Sequence, residues 1–270
     1  MILDGKRLAA DILSRARARS EQLGRMPTLR VVACGGNAAT ASYLKIKEKR
    51  AAEAGIGMIV QTLPETATTT ELIAAVTAAT EDALIVQLPL PATVDTQAVL
   101  DAIPVEKDAD VLSSAARARF ERGEDGALLP PVVGAVAEIV RGVSIAGKKA
   151  VVIGNGWLVG APVATWLNRQ GADVSIATIE TAPEELARML SGADIIVAGA
   201  GSAGLVKPEI IKEGVILIDA GTSESGGVIR GDADPAGAEK CSLFTPVPGG
   251  VGPVAVAKLF ENVIELAEYS

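Results

Sequence analysis

The sequence has no histidine at all. Imidazole bases, His-containing catalytic triads and His-ligated zinc sites are thereby excluded, and any proton chemistry falls to Lys, Tyr, Asp or Glu. Cysteine is reduced to Cys34 and Cys241, far apart in sequence, which read as small buried hydrophobes rather than as a disulfide pair. No run of Lys or Arg occurs and the net charge is −8, an unpromising balance for nucleic acid or an anionic membrane surface. No uninterrupted apolar run reaches membrane-spanning length, and Met1–Lys6 lacks the basic stretch and apolar core of a secretory signal. The expectation is a cytoplasmic protein with neither a nucleic-acid nor a membrane partner.

What is present is ordinary for a globular chain. Its 270 residues, 49% apolar and 21% charged, suffice to bury a core without staples. Leu8, Ile12 and Ala16 recur at helical spacing over 6–23. Leu29–Ala33 reads as a strand closed by a Gly35-Gly36-Asn37 turn, and 38–54 as a helix stopped by Gly55. Met58–Leu63 reads as a strand, 69–80 as a helix, and Ala83–Leu88 as a strand ended by Pro89 and Pro91. This alternation predicts an α/β architecture with a mostly parallel sheet covered on both faces. After a polar stretch that includes Arg117–Gly123, strands recur at Ala150–Ile153, Val174–Ala177, Ile195–Ala198 and Val215–Ile218. This second half resembles a doubly wound nucleotide-binding sheet. The boundary falls near 126–135, and a last helix is expected from about Pro253 to Tyr269.

Several motifs carry chemistry. Gly154-Asn155-Gly156-Trp157-Leu158-Val159-Gly160 follows a strand and opens a helix, where glycines admit a pyrophosphate to the backbone and the helix N-terminus offers N–H groups. The third glycine comes one residue later than in G-x-G-x-x-G, so a tight turn without ligand stays open for this motif alone. Gly199–Gly204 and Asp219-Ala220-Gly221 also lie past strand ends, and three glycine-rich ends on one sheet edge describe a ligand crevice. Tyr43 and Lys47, four apart in a helix, share a face, although Lys45, Lys47, Lys49 and Arg50 read by spacing alone as a solvated surface. Gln87, before Leu88-Pro89-Leu90-Pro91, can orient a neighbouring donor or simply close its strand. Lys107-Asp108-Ala109-Asp110 offers loop carboxylates, exposed by default. The proline- and glycine-dense Thr245–Pro253 segment imposes an unusual backbone before a helix and favours binding over packing.

Together these residues resemble one family over nearly the whole chain, bifunctional methylenetetrahydrofolate dehydrogenase/methenyltetrahydrofolate cyclohydrolase. The resemblance rests on Tyr43-x-x-x-Lys47, Val86–Pro91, Lys107-Asp108-x-Asp110, Val159-Gly160-x-Pro162, Ile218-Asp219-x-Gly221, Gly231-Asp232 and Thr245–Pro253. It implies a catalytic folate-binding domain over 1–130 with the 253–270 helix returning to it, and a Rossmann-like dinucleotide-binding domain over 131–252. Lys47 is then the central catalytic residue, Gln87 positions or tunes it, Tyr43 packs along the folate and Asp110 hydrogen-bonds the pterin. Pro248, Gly249 and Gly250 join the substrate site. Gly154, Asn155, Gly156, Val159, Gly160, Thr178, Glu180, Gly201 and Gly221 face NAD or NADP. No metal is needed, and a homodimer is implied. Hydride leaves the methylene bridge for the nicotinamide, water attacks the methenyl cation, and an amine handles the protons.

The chain departs from the family in places. Leu129-Pro130-Pro131-Val132-Val133-Gly134 stands where Pro-Cys-Thr-Pro is usual, Val111 replaces a glycine, and Ala255 replaces a threonine. Family members using NADP commonly carry Arg or Ser at the position of Asn155, and Ser and Arg where Ile179 and Glu180 stand here; the resemblance therefore implies a preference for NAD. The alternatives are a paralogue with one of the two activities, a non-catalytic folate- or nucleotide-binding relative, and a two-domain hydroxy- or amino-acid dehydrogenase.

Overall fold

A computed structural model describes residues 1–36, 38–225 and 228–269; Asn37, the last residue of the expected first turn, lies outside them. The chain divides into two compact units, one made of Ala10–Pro131 and Val256–Ser270, the other of Met1–Ala9 and Val132–Ala255.

The first unit holds most of α1 (Gly5–Gln22), then β1 (Thr28–Cys34), α2 (Ala38–Glu53), β2 (Gly57–Leu63), α3 (Thr69–Thr77) and β3 (Ala83–Val86). Two short helices follow, α4 (Thr96–Asp101) and α5 (Ser114–Arg122). The three strands form a parallel sheet in the order β2-β1-β3. Central β1 buries Leu29, Val31 and Val32, and every residue of β3 is buried, as apolar runs in a parallel sheet require. Edge strand β2 is different: Ile59 and Val60 remain 44% and 40% exposed, so the expected covering of both faces stops short of this edge. Helix boundaries follow local chemistry. Gly55 ends the α2 turn at φ +75°, and Thr68 with Glu71 forms a reciprocal capping box on α3. The Arg117–Gly123 stretch, read from sequence as a polar connection, is helical. Ser113 caps its start, Gly123 ends it at φ +65°, and only Ala116 and Phe120 point inward, too few to reveal a period.

After Met1–Ala9 the second unit resumes within α6 (Pro131–Ile139) and continues through β4 (Lys149–Ile153), α7 (Gly160–Arg169), β5 (Asp173–Ala177), α8 (Pro183–Gly192), β6 (Ile195–Ala198) and β7 (Ile216–Asp219). An antiparallel pair, β8 (Ser223–Ser225) with β9 (Val228–Arg230), precedes β10 (Leu243–Phe244). The main sheet is parallel, ordered β10-β7-β6-β4-β5, with a core of Val151, Ile153, Leu190, Ile196, Leu217 and Phe244. Its fifth strand, β10, is two residues long and left no pattern in the sequence. The topological switch lies at β4, whose two neighbours are reached by chain running in opposite directions, and ligands of such sheets bind beyond the strand C-termini there. The last helix, α9 (Val251–Glu268), starts earlier than expected. Pro253 sits in its first turn, where the missing N–H would have had no partner in any case. Cys34 and Cys241 are both free, the latter buried. Among the described residues no helix is long and apolar enough to cross a membrane.

Candidate functional site

Helix α2 presents Tyr43 and Lys47 one turn apart with different fates. Tyr43 is 51% exposed, whereas Lys47 is 8% exposed. Lys45 and Lys49 lie in solvent, so the solvated-surface reading holds for them and fails for Lys47. The ladder of β1 and β3 closes with Gln87 N–H donating to Val32 O at 2.8 Å, which sets the Gln87 side chain just beyond the sheet. Lys47 Nζ donates to Gln87 Oε1 at 3.0 Å, and Gln87 Nε2 donates to Leu88 O at 2.7 Å. The second bond settles which end of the amide meets the lysine: a flipped amide would face donor to donor. The Tyr43 ring centroid lies 5.9 Å from Lys47 Nζ, at the outer limit of a cation–π contact.

The Lys107–Asp110 carboxylates are not the exposed loop groups expected by default. Asp108 is fully buried, and its Oδ2 accepts from Leu112 N at 3.0 Å and Ser113 N at 2.8 Å. Asp110 is half-buried. Burial lifts its carboxyl to about 6, against the pull of Lys47, with the charge of Asp108 adding to the rise. Between them and α5 stands Val111 at φ +58°, alone among the described non-glycine residues in having a positive φ. A β-branched residue in that region costs on the order of 1–2 kcal/mol, which is the physical reason a glycine suits this position. Val111 is nonetheless buried, at 2% exposure.

In the second unit the residues assigned to a dinucleotide gather past the ends of β4, β5, β6 and β7. Gly154, at φ +94°, follows β4 with its N–H on Ala177 O at 2.8 Å, so Thr178 and Glu180 begin beside it. A Cβ on Gly160 would stand 2.0 Å from Gly154 O, and one on Gly154 2.7 Å from Gly199 O. These glycines let three stretches of main chain touch. Asn155 and Gly156 are exposed, Val159 is half-buried, and the start of α7 receives no side-chain cap. Open backbone before an uncapped helix N-terminus fits a pyrophosphate. Thr178 and Glu180 are exposed beyond β5.

Gly201 and Gly221 do something other than offer N–H groups to a ligand. Asp232 accepts from Ala200 N at 2.6 Å, Gly201 N at 3.2 Å and Ser202 N at 2.6 Å. Asp219 accepts from Gly221 N at 3.0 Å, Asp232 N at 3.2 Å and Ala233 N at 2.8 Å. Both carboxyls are buried, and burial lifts Asp219 to about 6, opposed by its backbone donors. The two motifs need each other. A Cβ on Gly221 would meet Asp232 at 2.2 Å, and one on Gly231 would meet Asp219 Oδ2 at 2.0 Å. In the sequence these aspartates stand out only as family marks; their role of organising the glycine loops is visible in the structure. Paired Asp-x-Gly and Gly-Asp signals were the clue.

The Pro/Gly-rich segment is anchored at one end by buried Thr245, whose Oγ1 accepts from Asp219 N at 2.6 Å. Pro248 is exposed, Gly249 has φ +103°, and a Cβ on Gly250 would stand 2.5 Å from Pro246 O. Gly5, which the sequence did not single out, is required here: its Cβ would fall 2.1 Å from Gly250 O. Thus Tyr43, Lys47, Gln87 and Asp110 form a cluster in the first unit, and the glycine loops form another in the second. Among the described residues no group of three or more His, Cys, Asp or Glu is placed to hold a metal ion.

Comparison with known proteins assigns the two halves of the chain to two family domains. The family model for the tetrahydrofolate dehydrogenase/cyclohydrolase catalytic domain matches residues 3–110, and that for the NAD(P)-binding domain matches 130–270. The bifunctional protein FolD of Listeria innocua is 37% identical over 278 residues, covering 99% of this chain and 97% of that protein. A FolD of Thermus thermophilus is 37% identical over 272 residues, covering 98% and 95%. The structure of the bifunctional methylenetetrahydrofolate dehydrogenase/cyclohydrolase FolD from Campylobacter jejuni superimposes with a TM-score of 0.95 at 34% identity, covering 100% of this chain and 99% of that one. The Trypanosoma brucei enzyme, solved with NADP cofactor and an inhibitor, gives 0.94 at 34% identity and 100% and 97% coverage.

Proposed function

The chain belongs to the tetrahydrofolate dehydrogenase/cyclohydrolase family, and on that premise we propose how its residues divide the work. The protein oxidises methylenetetrahydrofolate to methenyltetrahydrofolate with a nicotinamide dinucleotide, and hydrolyses the methenyl form to formyltetrahydrofolate. The observation that carries the assignment of roles is Lys47, a nearly buried amine held by an oriented amide in a chain without histidine. Water adding to the methenyl carbon must shed a proton, and Lys47 Nζ takes it. Gln87 keeps Nζ in place, Tyr43 lays its exposed ring along the folate, and ionised Asp110 accepts from the pterin. When bound, the dinucleotide supplies the hydride acceptor for the methylene carbon. Gly154, Asn155, Gly156, Val159 and Gly160 hold its pyrophosphate, and Thr178 and Glu180 its adenosine ribose. Gly201 and Gly221 contribute shape, since their N–H groups serve Asp232 and Asp219. The direct test of the activities is the absorbance of the methenyl product with purified protein, methylenetetrahydrofolate and either NAD or NADP. No product with either dinucleotide overturns the reading.

Gln87→Glu should change the pH dependence of hydrolysis rather than merely the affinity. A carboxylate placed where Gln87 Oε1 lies, 3.0 Å from Nζ, favours a proton on the amine and opposes its taking one from water. The pH–rate profile should shift towards higher pH; an unmoved profile would mean that Gln87 does not act on Lys47.

The finer reading of the cofactor is a preference for NAD. Glu180 is exposed after β5, Ile179 beside it is fully exposed, and 173–182 contains no Lys or Arg. The next cation, Arg188, is paired with Glu185, Nε to Oε2 at 2.9 Å. From this segment a 2′-phosphate would meet an anion and no unpaired cation, whereas ribose hydroxyls find an acceptor. The specificity constant for NAD should exceed that for NADP by about tenfold. Glu180→Ala should narrow the gap. A clear advantage for NADP, unaltered in Glu180→Ala, overturns this preference. The same reading takes the protein as a cytoplasmic homodimer, which the mass of the purified protein in solution tests for assembly.

A further inference from the structure

Asp110 follows Ala109 in a loop that the structure restrains from two sides. On its C-terminal side, Asp108 Oδ2 gathers Leu112 N and Ser113 N, and the chain turns through Val111 at φ +58°. On its N-terminal side the restraint comes from 153 positions away. Asn262, on α9 and 6% exposed, donates from Nδ2 to Ala109 O at 2.9 Å and also to Leu129 O at 2.9 Å. The Ala109 carbonyl belongs to the peptide that contains the Asp110 nitrogen. That peptide is planar, so holding the oxygen also fixes the plane from which the Asp110 Cα–Cβ bond departs. A primary amide has two hydrogens in one plane and can therefore serve as a gauge between two carbonyls. Asp has no donor there, and Ser has one. Leu129 lies in the stretch where this chain lacks the family's Pro-Cys-Thr-Pro, and its main chain makes the contact.

We propose that Asn262 is a positioning residue for Asp110, and that through this loop it sets the affinity of the protein for its folate substrate. The inference rests on the reading that Asp110 contacts the pterin. Steady-state kinetics of Asn262→Ala, Asn262→Ser and Asn262→Asp, with thermal melts alongside, tests it. Asn262→Ala and Asn262→Asp should raise KM for methylenetetrahydrofolate at least about tenfold, with the dinucleotide KM changed less than about twofold; Asn262→Ser, keeping one donor, should fall between. The acidic limb of kcat/KM should also move. It reports Asp110, which faces Lys47 from α2 and Asp108 from its own loop. If Asn262→Ala does not fold, Asn262→Ser decides. A lowered melting temperature with unchanged folate KM and unchanged acidic limb would make Asn262 structural only and overturn the proposal. In Asp110→Asn, the folate KM should already be high and Asn262→Ala should add little. An unchanged folate KM in Asp110→Asn instead removes the pterin reading itself, a distinguishable failure.

Discussion

Lys47→Ala should lose hydrolysis of methenyltetrahydrofolate by about 100-fold to 10,000-fold, the usual worth of a positioned general base. The protein should still fold. Alanine is the best helix former, the substitution lies within α2, and Gln87, whose Oε1 loses its partner, is only half-buried. The dinucleotide loops belong to the other compact unit and should bind as before. Trp157, 40% exposed among those loops, offers a fluorescence signal for titration with NAD. Lys45→Ala is the internal control: two residues along the helix it points elsewhere, is exposed, and should retain most activity. Decay of the methenyl absorbance measures all three proteins. Parent-like hydrolysis in Lys47→Ala would remove this lysine from the mechanism.

The second large effect is expected on stability. Asp232→Ala removes the buried carboxylate that accepts from the N–H groups of Ala200, Gly201 and Ser202, in an exposed loop after β6. A donor orphaned away from water costs about 1–3 kcal/mol; these three sit on exposed residues that water partly reaches, so each falls at the low end, and together they are still a sizeable part of the roughly 5–15 kcal/mol that holds a typical domain. Urea unfolding should show a markedly lower midpoint, and the dinucleotide KM should rise as the loop loosens. Asp232→Asn, with one carbonyl oxygen left to accept, should lie between. The pH dependence has a definite sign. Burial raises folded Asp219 from 3.8 to about 6, so its contribution to stability is full below the ordinary carboxylate range and is lost as pH rises towards 6. The charge of Asp232 contributes to that rise. Asp232→Asn should therefore narrow the window over which stability falls with pH. A parent-like midpoint in Asp232→Ala would show that the three donors find other partners.

The elements legible in the sequence are those with a local signature. Apolar runs marked β1, β3, β4, β6 and β7, and Gly55 marked the end of α2, because burial on both faces and a left-handed turn each restrict residue choice on the spot. What escaped is non-local. Nothing near Asn262 announces that its amide serves Ala109, and Lys47 differs from Lys45 and Lys49 only in what surrounds it. The glycine loops were legible as a crevice, but glycine spacing does not say which way an N–H points. Gly201 and Gly221 turn theirs inward to aspartates that come 31 and 2 residues away in sequence. The Val111 departure was visible as a mismatch to a motif, and only its φ of +58° says why glycine is usual there.

The crossed fit of Gly221 against Asp232, and of Gly231 against Asp219, also bears on how such a sequence can drift. Adding a methyl group at either glycine collides with a carboxylate that cannot be given up, since each carboxylate satisfies three main-chain donors. Shortening a carboxylate to make room strands those donors. No single step leads away from the arrangement, and the compensating step is harmful by itself. The four positions therefore form an epistatic block: surrounding loops can vary in length and polarity while these residues are inherited together, which makes them a better marker of descent than of cofactor choice.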